Sequence, residues 1–234
     1  MNGKIILAGH QPNFLPWLGY FYKIAKCDIF VFLDNLQYSK NSFINRNKIK
    51  TSQGAQWLTL PVVTSGKFGQ QILELTLFNK EKSIKKIFRT LELNYHKTKY
   101  FYDYFGKFQA ILNSNIDNLA EINILLIQWI IKLLEIRVAI KRSSELNNIK
   151  GTSTERLISI CNSVGANEYF SGFGGVKYQE NEIFSKARIK LKITDFEHPI
   201  YSQLYGEFIP NLSIIDLLFN CGKDSKAILL SGKN

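Results

Sequence analysis

A histidine and an aspartate near the amino terminus are the residues of this chain best placed for acid–base chemistry. His10 follows a short apolar run, Lys4 to Ala8, and Asp34 closes a second run, Asp28 to Leu33. If both runs are parallel strands of one sheet, their carboxyl ends meet at the edge where α/β proteins bind ligands. A neutral His10 would then accept a proton from an amine or hydroxyl, and Asp34 would orient it. The alternatives are a histidine that donates to a backbone carbonyl and an aspartate that caps the next turn.

Three further polar residues extend this candidate site. Gln11 and Asn13 directly follow His10, in the loop that leads to an aromatic helix, and we expect them to bind substrate. His198, which lies between Glu197 and Pro199, is the candidate for a second acid or base. The alternative for His198 is a residue at a strand end that takes no part in chemistry.

Polar residues beyond the second run suggest contacts to a substrate. Gln37 and Lys40 follow Asp34 at intervals of three residues, so all three share one face if the stretch forms a helical turn. In a loop they need not converge. We expect Gln37 and Lys40 to bind substrate, with Lys40 holding an anionic group.

A predicted hairpin supplies a further group of candidate substrate-binding residues. Strand alternation places Asn45 and Asn47 on one face and Arg46 and Lys50 on the other. Two carboxamides on an otherwise apolar face either pair internally or bind a ligand, because burying them without partners is costly. Arg46 and Lys50 on the opposite face would hold an anionic group such as a diphosphate. The alternative is a basic strand face that contacts only solvent.

A glycine-rich stretch follows a predicted strand, Glu168 to Ser171, in the last third of the chain. Gly172, Gly174 and Gly175 would let backbone N–H groups approach an anion closely. The stretch lacks the spacing and the Lys-Ser/Thr ending of a P-loop. We expect Ser171 to contact substrate and Tyr178 to offer it a hydroxyl.

Composition sets the class of protein. The 234 residues are 45% hydrophobic, which is enough to bury a substantial core without a disulfide or a structural metal. The three cysteines show no metal-binding spacing, and we predict no catalytic metal.

The net charge of +11 suits an anionic partner, but the lysines are spread along the chain, so a nucleic acid is not the expected partner. With no targeting pattern and no membrane-spanning segment in the sequence, we predict a cytoplasmic protein.

The hydrophobic periodicity predicts an α/β or α+β fold over residues 1–234, taken as a single domain. A strand, helix, strand and hairpin come first, with the hairpin strands at 42–50 and 56–63. A helical subregion at about 80–135 follows, with helices at 80–94, 100–112 and 117–134. The last third is mixed, with strands at 137–140, 168–171 and 189–196 and helices at 153–164 and 213–220.

Several motifs follow one another along nearly the whole chain. They are GHQPNFLPWLGYFYKIAKCDIFVFLDNLQYSKNSFINRNKIK, WLTLPV, YFSG near Tyr169, HPIYSQLYGEF, and LSIIDLLFN. In order and spacing they resemble the WbqC-like family of bacterial proteins. The resemblance implies an association with O-antigen and other surface-polysaccharide synthesis, and thereby the tailoring of sugars, often amino sugars. It also implies acyl or aminoacyl transfer.

Together these observations favour an enzyme that transfers an acyl or aminoacyl group to the amine of a nucleotide-linked sugar. No cofactor is predicted beyond the donor, an acyl or aminoacyl group held by CoA or by an acyl carrier protein. Two alternatives remain open. The first is nucleotidyl transfer or ATP-dependent activation, suggested by the strand, loop and helix around His10. The second is a non-catalytic protein that binds a sugar nucleotide or RNA, suggested by the basic charge balance.

Overall fold

The computed structural model of the protein describes residues 3–232, apart from the side chains at positions 176–178. Its strands are β1 (Ile6–His10), β2 (Ile29–Phe32), β3 (Arg46–Thr51), β4 (Gly54–Thr59), β5 (Ala139–Arg142), β6 (Glu168–Ser171) and β7 (Lys190–Ile193). Its helices are α1 (Leu18–Ala25), α2 (Lys80–Tyr95), α3 (Phe101–Leu112), α4 (Leu119–Leu133), α5 (Ser153–Ser163), α6 (Asn181–Lys186), α7 (Ile214–Cys221) and α8 (Ser225–Ser231). Short 3-10 turns lie at Ile72–Glu74, Ser143–Glu145, Phe173–Tyr178 and Gly222–Asp224.

A parallel sheet organises the fold. Within the described residues it has five strands in the order β5-β2-β1-β6-β7, and each recorded neighbouring pair is parallel. The antiparallel pair β3-β4 forms a separate hairpin. The predicted α/β class is therefore confirmed, and so is the parallel pairing of the first two strands.

Successive residues of the central strands point to opposite faces of the sheet and pack into two separate cores. Ala8, Phe30 and Phe32 pack into the larger core, together with buried side chains of α1, α4 and α7. Leu7 and Val31 pack into a smaller core with α5. Helices α1 and α5 therefore cover opposite faces of the sheet.

Most predicted elements are present, with shifted ends. The first strand runs to His10 rather than stopping at Ala8, so the histidine is the last residue of the strand and not part of a following loop. The hairpin begins at Arg46, because residues 41–45 form turns and bends. Helices α6 and α8 were not predicted. Both are short, so their hydrophobic repeat covers less than two helical turns and gives little periodic signal.

A buried carboxylate fastens the carboxyl-terminal segment to the hairpin. Asp216 of α7 accepts hydrogen bonds from the hydroxyls of Tyr95 and Tyr201, at 2.7 and 2.9 Å. The same Tyr95 hydroxyl accepts the backbone N–H of Lys50 at 2.8 Å, and the Lys50 ammonium donates to the carbonyl of Glu207. The expectation that Lys50 lies on a basic, ligand-gripping face was wrong, because it is buried in this network.

None of the helices formed by the described residues is long and apolar enough to cross a membrane.

Candidate functional site

The carboxyl ends of β1 and β6 form a topological switch point. From β1 the chain builds one side of the sheet through β2 and β5, and then returns to build the other side from β6. Strand β1 pairs with β2 over four positions, up to His10 opposite Phe32, whereas its recorded pairing with β6 ends at Leu7 opposite Tyr169. Doubly wound sheets bind ligands in the crevice at such a point.

A cleft of about 490 Å³ occupies this crevice. The described residues that line it come from β1 and the loop after it, α1, the loop after β2, α5, and β6 with the turn that follows it. They are Gly9, His10, Gln11, Lys23, Leu33, Leu36, Ser153, Arg156, Leu157, Tyr169, Ser171, Gly172, Gly174, Gly175 and Gln179. The ionisable groups of this set are basic or phenolic, with no carboxylate among them, so the cleft is cationic.

Helix α1 presents two polar groups to the end of β1. Tyr20 and Lys23 are one helical turn apart, so they lie on the same face. The Tyr20 hydroxyl donates to the Gln11 carbonyl at 3.0 Å, and its ring lies 4.8 Å from the His10 ring. The Lys23 ammonium donates to the Gly9 carbonyl at 2.9 Å, with only 4% of the residue exposed. This helix therefore fixes both the imidazole and a buried ammonium in the cleft.

Burial changes the protonation of both groups. It lowers the pKa of His10 to about 3, with the nearby Lys23 ammonium as a smaller cause. Burial also lowers the pKa of Lys23 to about 7. His10 is therefore neutral at physiological pH, as the sequence suggested, but because of burial and Lys23 rather than a helix dipole. Its Nδ1 lies 3.2 Å from the Gln11 carbonyl, so Nδ1 donates there and Nε2 is left as an acceptor.

Arg156 enters the cleft from α5, on the other face of the sheet. One terminal nitrogen donates to the Asn35 side-chain oxygen at 2.7 Å, which also accepts the Ser143 hydroxyl at 2.6 Å. The Arg156 Nε is buried, and no hydrogen-bond partner is found for it among the described residues. One terminal nitrogen of the guanidinium is thus held by Asn35, and the Nε remains available to hydrogen-bond a ligand.

The turn after β6 brings glycine backbone to the wall of the cleft. A Cβ at Gly175 would lie 2.6 Å from the Ser171 hydroxyl and 2.7 Å from Nε2 of Gln179, which leaves no room for one. A Cβ at Gly172 would lie 3.9 Å from the Lys23 ammonium nitrogen. The backbone of this turn therefore approaches the Lys23 ammonium directly.

Asp34 lies near the same sheet edge as His10, but its hydrogen bonds lead elsewhere. Its carboxylate accepts the Ser143 hydroxyl at 3.1 Å, the Ser144 N–H at 3.0 Å and the Ser144 hydroxyl at 2.7 Å. It is 2% exposed and is not part of the cleft lining. Asp34 thus connects the end of β2 to the turn after β5, which agrees with the alternative that it caps a turn. Among the described contacts, none pairs it with His10.

Replacing Asp34 with alanine is therefore expected to cost stability rather than chemistry. The N–H and the hydroxyl of Ser144 lose their charged acceptor, whereas the Ser143 hydroxyl keeps the Asn35 side-chain oxygen. We therefore expect the free energy of unfolding to fall by about 2 kcal/mol. Urea unfolding measures this loss, and histidine NMR spectra of the folded variant report on His10. An unchanged stability combined with a shifted His10 resonance would instead assign Asp34 the orienting role.

The predicted substrate-binding residues divide into two groups. Gln11 and Ser171 line the cleft. Those that do not line it are Asn13, Gln37, Lys40, Asn45, Arg46 and Asn47. Gln37 and Lys40 are exposed in a loop that forms no helical turn with Asp34. The Tyr178 side chain lies outside the described residues.

The hairpin asparagines have internal partners. Asn45 donates to the Leu60 carbonyl at 3.2 Å, and Asn47 donates to the Leu15 carbonyl at 2.6 Å. Arg46 donates to the Asn41 carbonyl and stacks on Trp57, with its guanidinium carbon 4.2 Å from the ring centre. Asn47 thus holds the hairpin against the loop after β1, and Asn45 and Arg46 bond within the hairpin and its flanking residues. Of the two alternatives for the asparagines, internal pairing is the one observed.

His198 lies in an aromatic cluster away from the cleft. Its Nδ1 is 2.9 Å from the Pro199 carbonyl, and its ring is 5.6 Å from that of Phe208 and 6.2 Å from that of Tyr201. Burial lowers its pKa. His198 is not among the residues that line the cleft with His10, so the two histidines do not form one site there.

The cysteines and carboxylates give no sign of other chemistry. The three cysteines are free, and burial raises the pKa of Cys27 and Cys161 to about 12 and that of Cys221 to about 11. In the part of the chain that the structure describes, no group of three or more His, Cys, Asp or Glu side chains could hold a metal ion. That the protein works without a metal stays a prediction.

A larger groove of about 1130 Å³ lies between the start of α2 and the end of α3. Its lining includes Lys80, whose ammonium already contacts the Ser114 and Ile116 carbonyls and the Asp117 carboxylate. The charged side chains of this groove are of both signs and mostly exposed. The cleft at β1 and β6 is the better candidate, because most of its polar groups are buried or half-buried and they converge.

Lys23, Arg156 and Gln179 are lining residues that the sequence interpretation missed. For Lys23 a signal was present: it is the one charged residue in the helix LGYFYKIA, which is otherwise apolar or aromatic. A lone lysine amid buried neighbours indicates a functional position. For Arg156 and Gln179 the sequence offers no comparable signal, because both lie in polar surroundings.

Comparison with known proteins gives one clear relationship. A sequence model of the WbqC-like protein family matches residues 11–228. Among curated proteins, the chain is similar to "Uncharacterized protein Rv1507c" of Mycobacterium tuberculosis, with 38% identity over 217 residues, which cover 92% of this chain and 93% of the relative. No solved structure matches.

Proposed function

The chain belongs to the WbqC-like protein family, and on that premise we propose that it transfers an acyl or aminoacyl group to the amine of a nucleotide-linked amino sugar. The place of the reaction is the cleft at the carboxyl ends of β1 and β6. Its biological setting is the tailoring of sugars for O-antigen or another surface polysaccharide. This setting rests on the family resemblance of the sequence motifs.

One observation carries the proposal: a neutral imidazole lies in a cationic cleft at the switch point of a doubly wound sheet. His10 has its Nδ1 directed at the Gln11 carbonyl and lies 4.8 Å from the Tyr20 ring, so its orientation is fixed before substrate binds. Acyl transfer to an amine needs a hydrogen-bond acceptor at the attacking nitrogen, because that nitrogen loses a proton as the new bond forms. With its pKa lowered to about 3, His10 would relay this proton rather than retain it. The cationic lining suits the diphosphate of a nucleotide-linked sugar.

The proposed reaction balances without a metal or a redox cofactor. The amine nitrogen forms a bond to the carbonyl carbon of the donor, and the bond from that carbon to the sulfur or oxygen of the carrier breaks. Nε2 of His10 accepts the hydrogen bond of the attacking amine and passes the released proton to the departing carrier. Ser171 and Gln11, which also line the cleft, hydrogen-bond the sugar. The donor is an acyl or aminoacyl group on CoA or on an acyl carrier protein.

Product analysis tests the proposal directly. The purified protein is incubated with nucleotide-linked amino sugars and with acyl-CoA or aminoacyl donors, and mass spectrometry detects an acylated sugar. Formation of that product by the wild-type protein supports the proposal. Binding of the sugar nucleotide without turnover on any acyl or aminoacyl donor would instead indicate the non-catalytic binding protein.

The protonation of His10 can be measured without a substrate. With a pKa lowered to about 3, its imidazole should stay unprotonated between pH 5 and pH 8. Its resonances should then show only the small shift caused by titration of the nearby Lys23 near pH 7, not the full shift of ring protonation. Assignment by a His10→Gln variant identifies the signal among the three histidines of the chain. The same histidine in the urea-unfolded chain should titrate near its ordinary pKa of about 6.5. A titration near 6.5 in the folded protein would contradict the description of the cleft.

Nucleotidyl transfer is the second candidate, and a specific feature favours it. Two cationic side chains, Lys23 and Arg156, line a cleft at the switch point, and such a cleft also suits a triphosphate. The two candidates differ in their products. Release of pyrophosphate from ATP in the presence of substrate would favour nucleotidyl transfer, and an acylated sugar formed without ATP would exclude it.

A further inference from the structure

The cleft holds positive charge that no nearby acid balances. Lys23 is 4% exposed, and the hydrogen bond recorded for its ammonium goes to a neutral group, the Gly9 carbonyl at 2.9 Å. Among the described residues, no carboxylate lies within 4.0 Å of this ammonium, and none lines the cleft. Burying a charged lysine without a counter-charge is costly, and burial accordingly lowers the pKa of Lys23 to about 7. An anion that arrives from outside would supply the missing counter-charge.

A second cation faces the same cleft from the opposite side of the sheet. Lys23 comes from α1 and Arg156 from α5, and these helices pack on opposite faces. The Arg156 Nε is buried, with no partner in the described part of the chain. Its outer nitrogen is held by Asn35 at 2.7 Å, which fixes the plane of the guanidinium. A tetrahedral anion between the two cations would supply acceptors to both.

A glycine-rich turn lies beside Lys23 on the wall of the cleft. The turn after β6 carries glycine at positions 172, 174 and 175, and the position of a Cβ on Gly172 is 3.9 Å from the Lys23 ammonium nitrogen. Gly174 and Gly175 line the cleft beside Ser171. A phosphate can approach the main chain here more closely than any turn with larger side chains would allow.

We propose that the cleft binds a phosphate or diphosphate group between the Lys23 ammonium and the Arg156 guanidinium. The anion provides the counter-charge that Lys23 lacks, so binding favours the charged form of this lysine. Protonation of Lys23 and binding of the anion are therefore coupled. The identity of the molecule that carries the phosphate rests on the proposed function, whereas the anion site itself does not.

The coupling can be assigned to Lys23 because of how its neighbours titrate. Among the described residues, the titratable or charged groups that face it are Tyr20 from α1 itself, His10 from β1, Cys27 after α1, Tyr169 from β6 and Arg156 from α5. Burial lowers the pKa of His10 to about 3, raises that of Cys27 to about 12, and raises those of Tyr20 and Tyr169 well above the ordinary value of 10. Arginine stays charged throughout. Between pH 6.5 and pH 8.5, Lys23 is the group of this set that changes charge.

Inorganic sulfate is the appropriate first probe, because it remains a dianion over this whole range. We expect calorimetric titration of the full chain to show a Kd that rises about twentyfold from pH 6.5 to pH 8.5, since the free lysine loses its proton near pH 7. In Lys23→Met the Kd should be at least tenfold weaker at pH 6.5 and independent of pH. Arg156→Gln should weaken binding while the pH dependence remains.

A matched variant separates this site from the general positive charge of the protein. Lys107→Met removes the same charge from an exposed position on α3 and should bind sulfate like the wild type at every pH. Equal weakening by Lys107→Met and Lys23→Met would overturn the proposal. So would a sulfate affinity of the wild type that does not vary with pH. Thermal unfolding of each variant verifies that it is folded.

Competition identifies which substrate brings the phosphate. If uridine diphosphate displaces sulfate and coenzyme A does not, the site belongs to the nucleotide-linked sugar. If coenzyme A displaces sulfate and uridine diphosphate does not, the site belongs to the acyl donor. Either result supports the anion site. Failure of both to displace sulfate would overturn it. Since these titrations need no turnover, an absence of acyl transfer alongside pH-dependent sulfate binding would refute the proposed function and leave the anion site standing.

Discussion

Replacing Lys23 with methionine is expected to raise the free energy of unfolding by about 2–3 kcal/mol at pH 7. The ordinary pKa of 10.5 falls to about 7 in the folded protein. A change of that size corresponds to about 5 kcal/mol of unfavourable free energy for the charged lysine. The variant also loses the hydrogen bond to the Gly9 carbonyl, which offsets part of this increase in stability. For a chain of this length the melting temperature should rise by about 5–10 °C.

The effect of Lys23→Met should also depend on pH, in a direction that linkage fixes. The pKa of Lys23 is lower in the folded than in the unfolded chain, so the folded protein loses stability as pH falls from about 10.5 to about 7. The advantage of the methionine variant is therefore full below pH 7 and shrinks towards pH 10. Lys107→Met, on an exposed position, should stay within about 0.5 kcal/mol of the wild type. A destabilised Lys23→Met protein would show that the lysine holds the fold together.

For the proposed acyl transfer, His10→Ala is expected to lower kcat/KM about 10²–10⁴-fold. The variant removes the Nε2 atom proposed to align the attacking amine. The loss should appear chiefly in kcat, because Lys23 and Arg156, the cations proposed to bind the anion, remain. Thus sulfate should still bind with the pH dependence of the wild type. Steady-state kinetics with the acylated sugar as product measures the first effect, and calorimetry measures the second.

A second histidine provides the control for this experiment. His96 is exposed at the end of α2, where its Nδ1 contacts the Glu92 carbonyl at 2.8 Å, and it does not line the cleft. His96→Ala should leave kcat/KM within about twofold of the wild type. If both alanine variants retained full turnover, the imidazole in the cleft would have no part in the reaction.

The sequence predicted the main elements of the fold because their hydrophobic patterns are regular. The helices at 80–94, 100–112 and 117–134 appear as α2, α3 and α4 with ends that differ by one or two residues. The parallel pairing of β1 with β2 was also predictable, since a short helix connects two apolar runs. The position of β6 beside β1 was not, because that contact joins residues some 160 positions apart and leaves no mark in local spacing.

The same distinction applies to the candidate site. His10, Gln11 and Ser171 were expected there, and they do line the cleft, since each stands at or next to the end of a predicted strand. The orientation of Asp34 depends on Ser143 and Ser144, more than 100 residues away, and could not be read from the chain. Lys23 was overlooked because its helix was interpreted as an aromatic core element.

A crystal structure with a nucleoside-diphosphate-linked amino sugar would show whether the cleft at β1 and β6 binds the substrate. We expect the diphosphate between the Lys23 ammonium and the Arg156 guanidinium, with the sugar amine within hydrogen-bond distance of Nε2 of His10. A sugar nucleotide bound instead in the groove between α2 and α3, with the cleft at β1 and β6 unoccupied, would contradict this expectation.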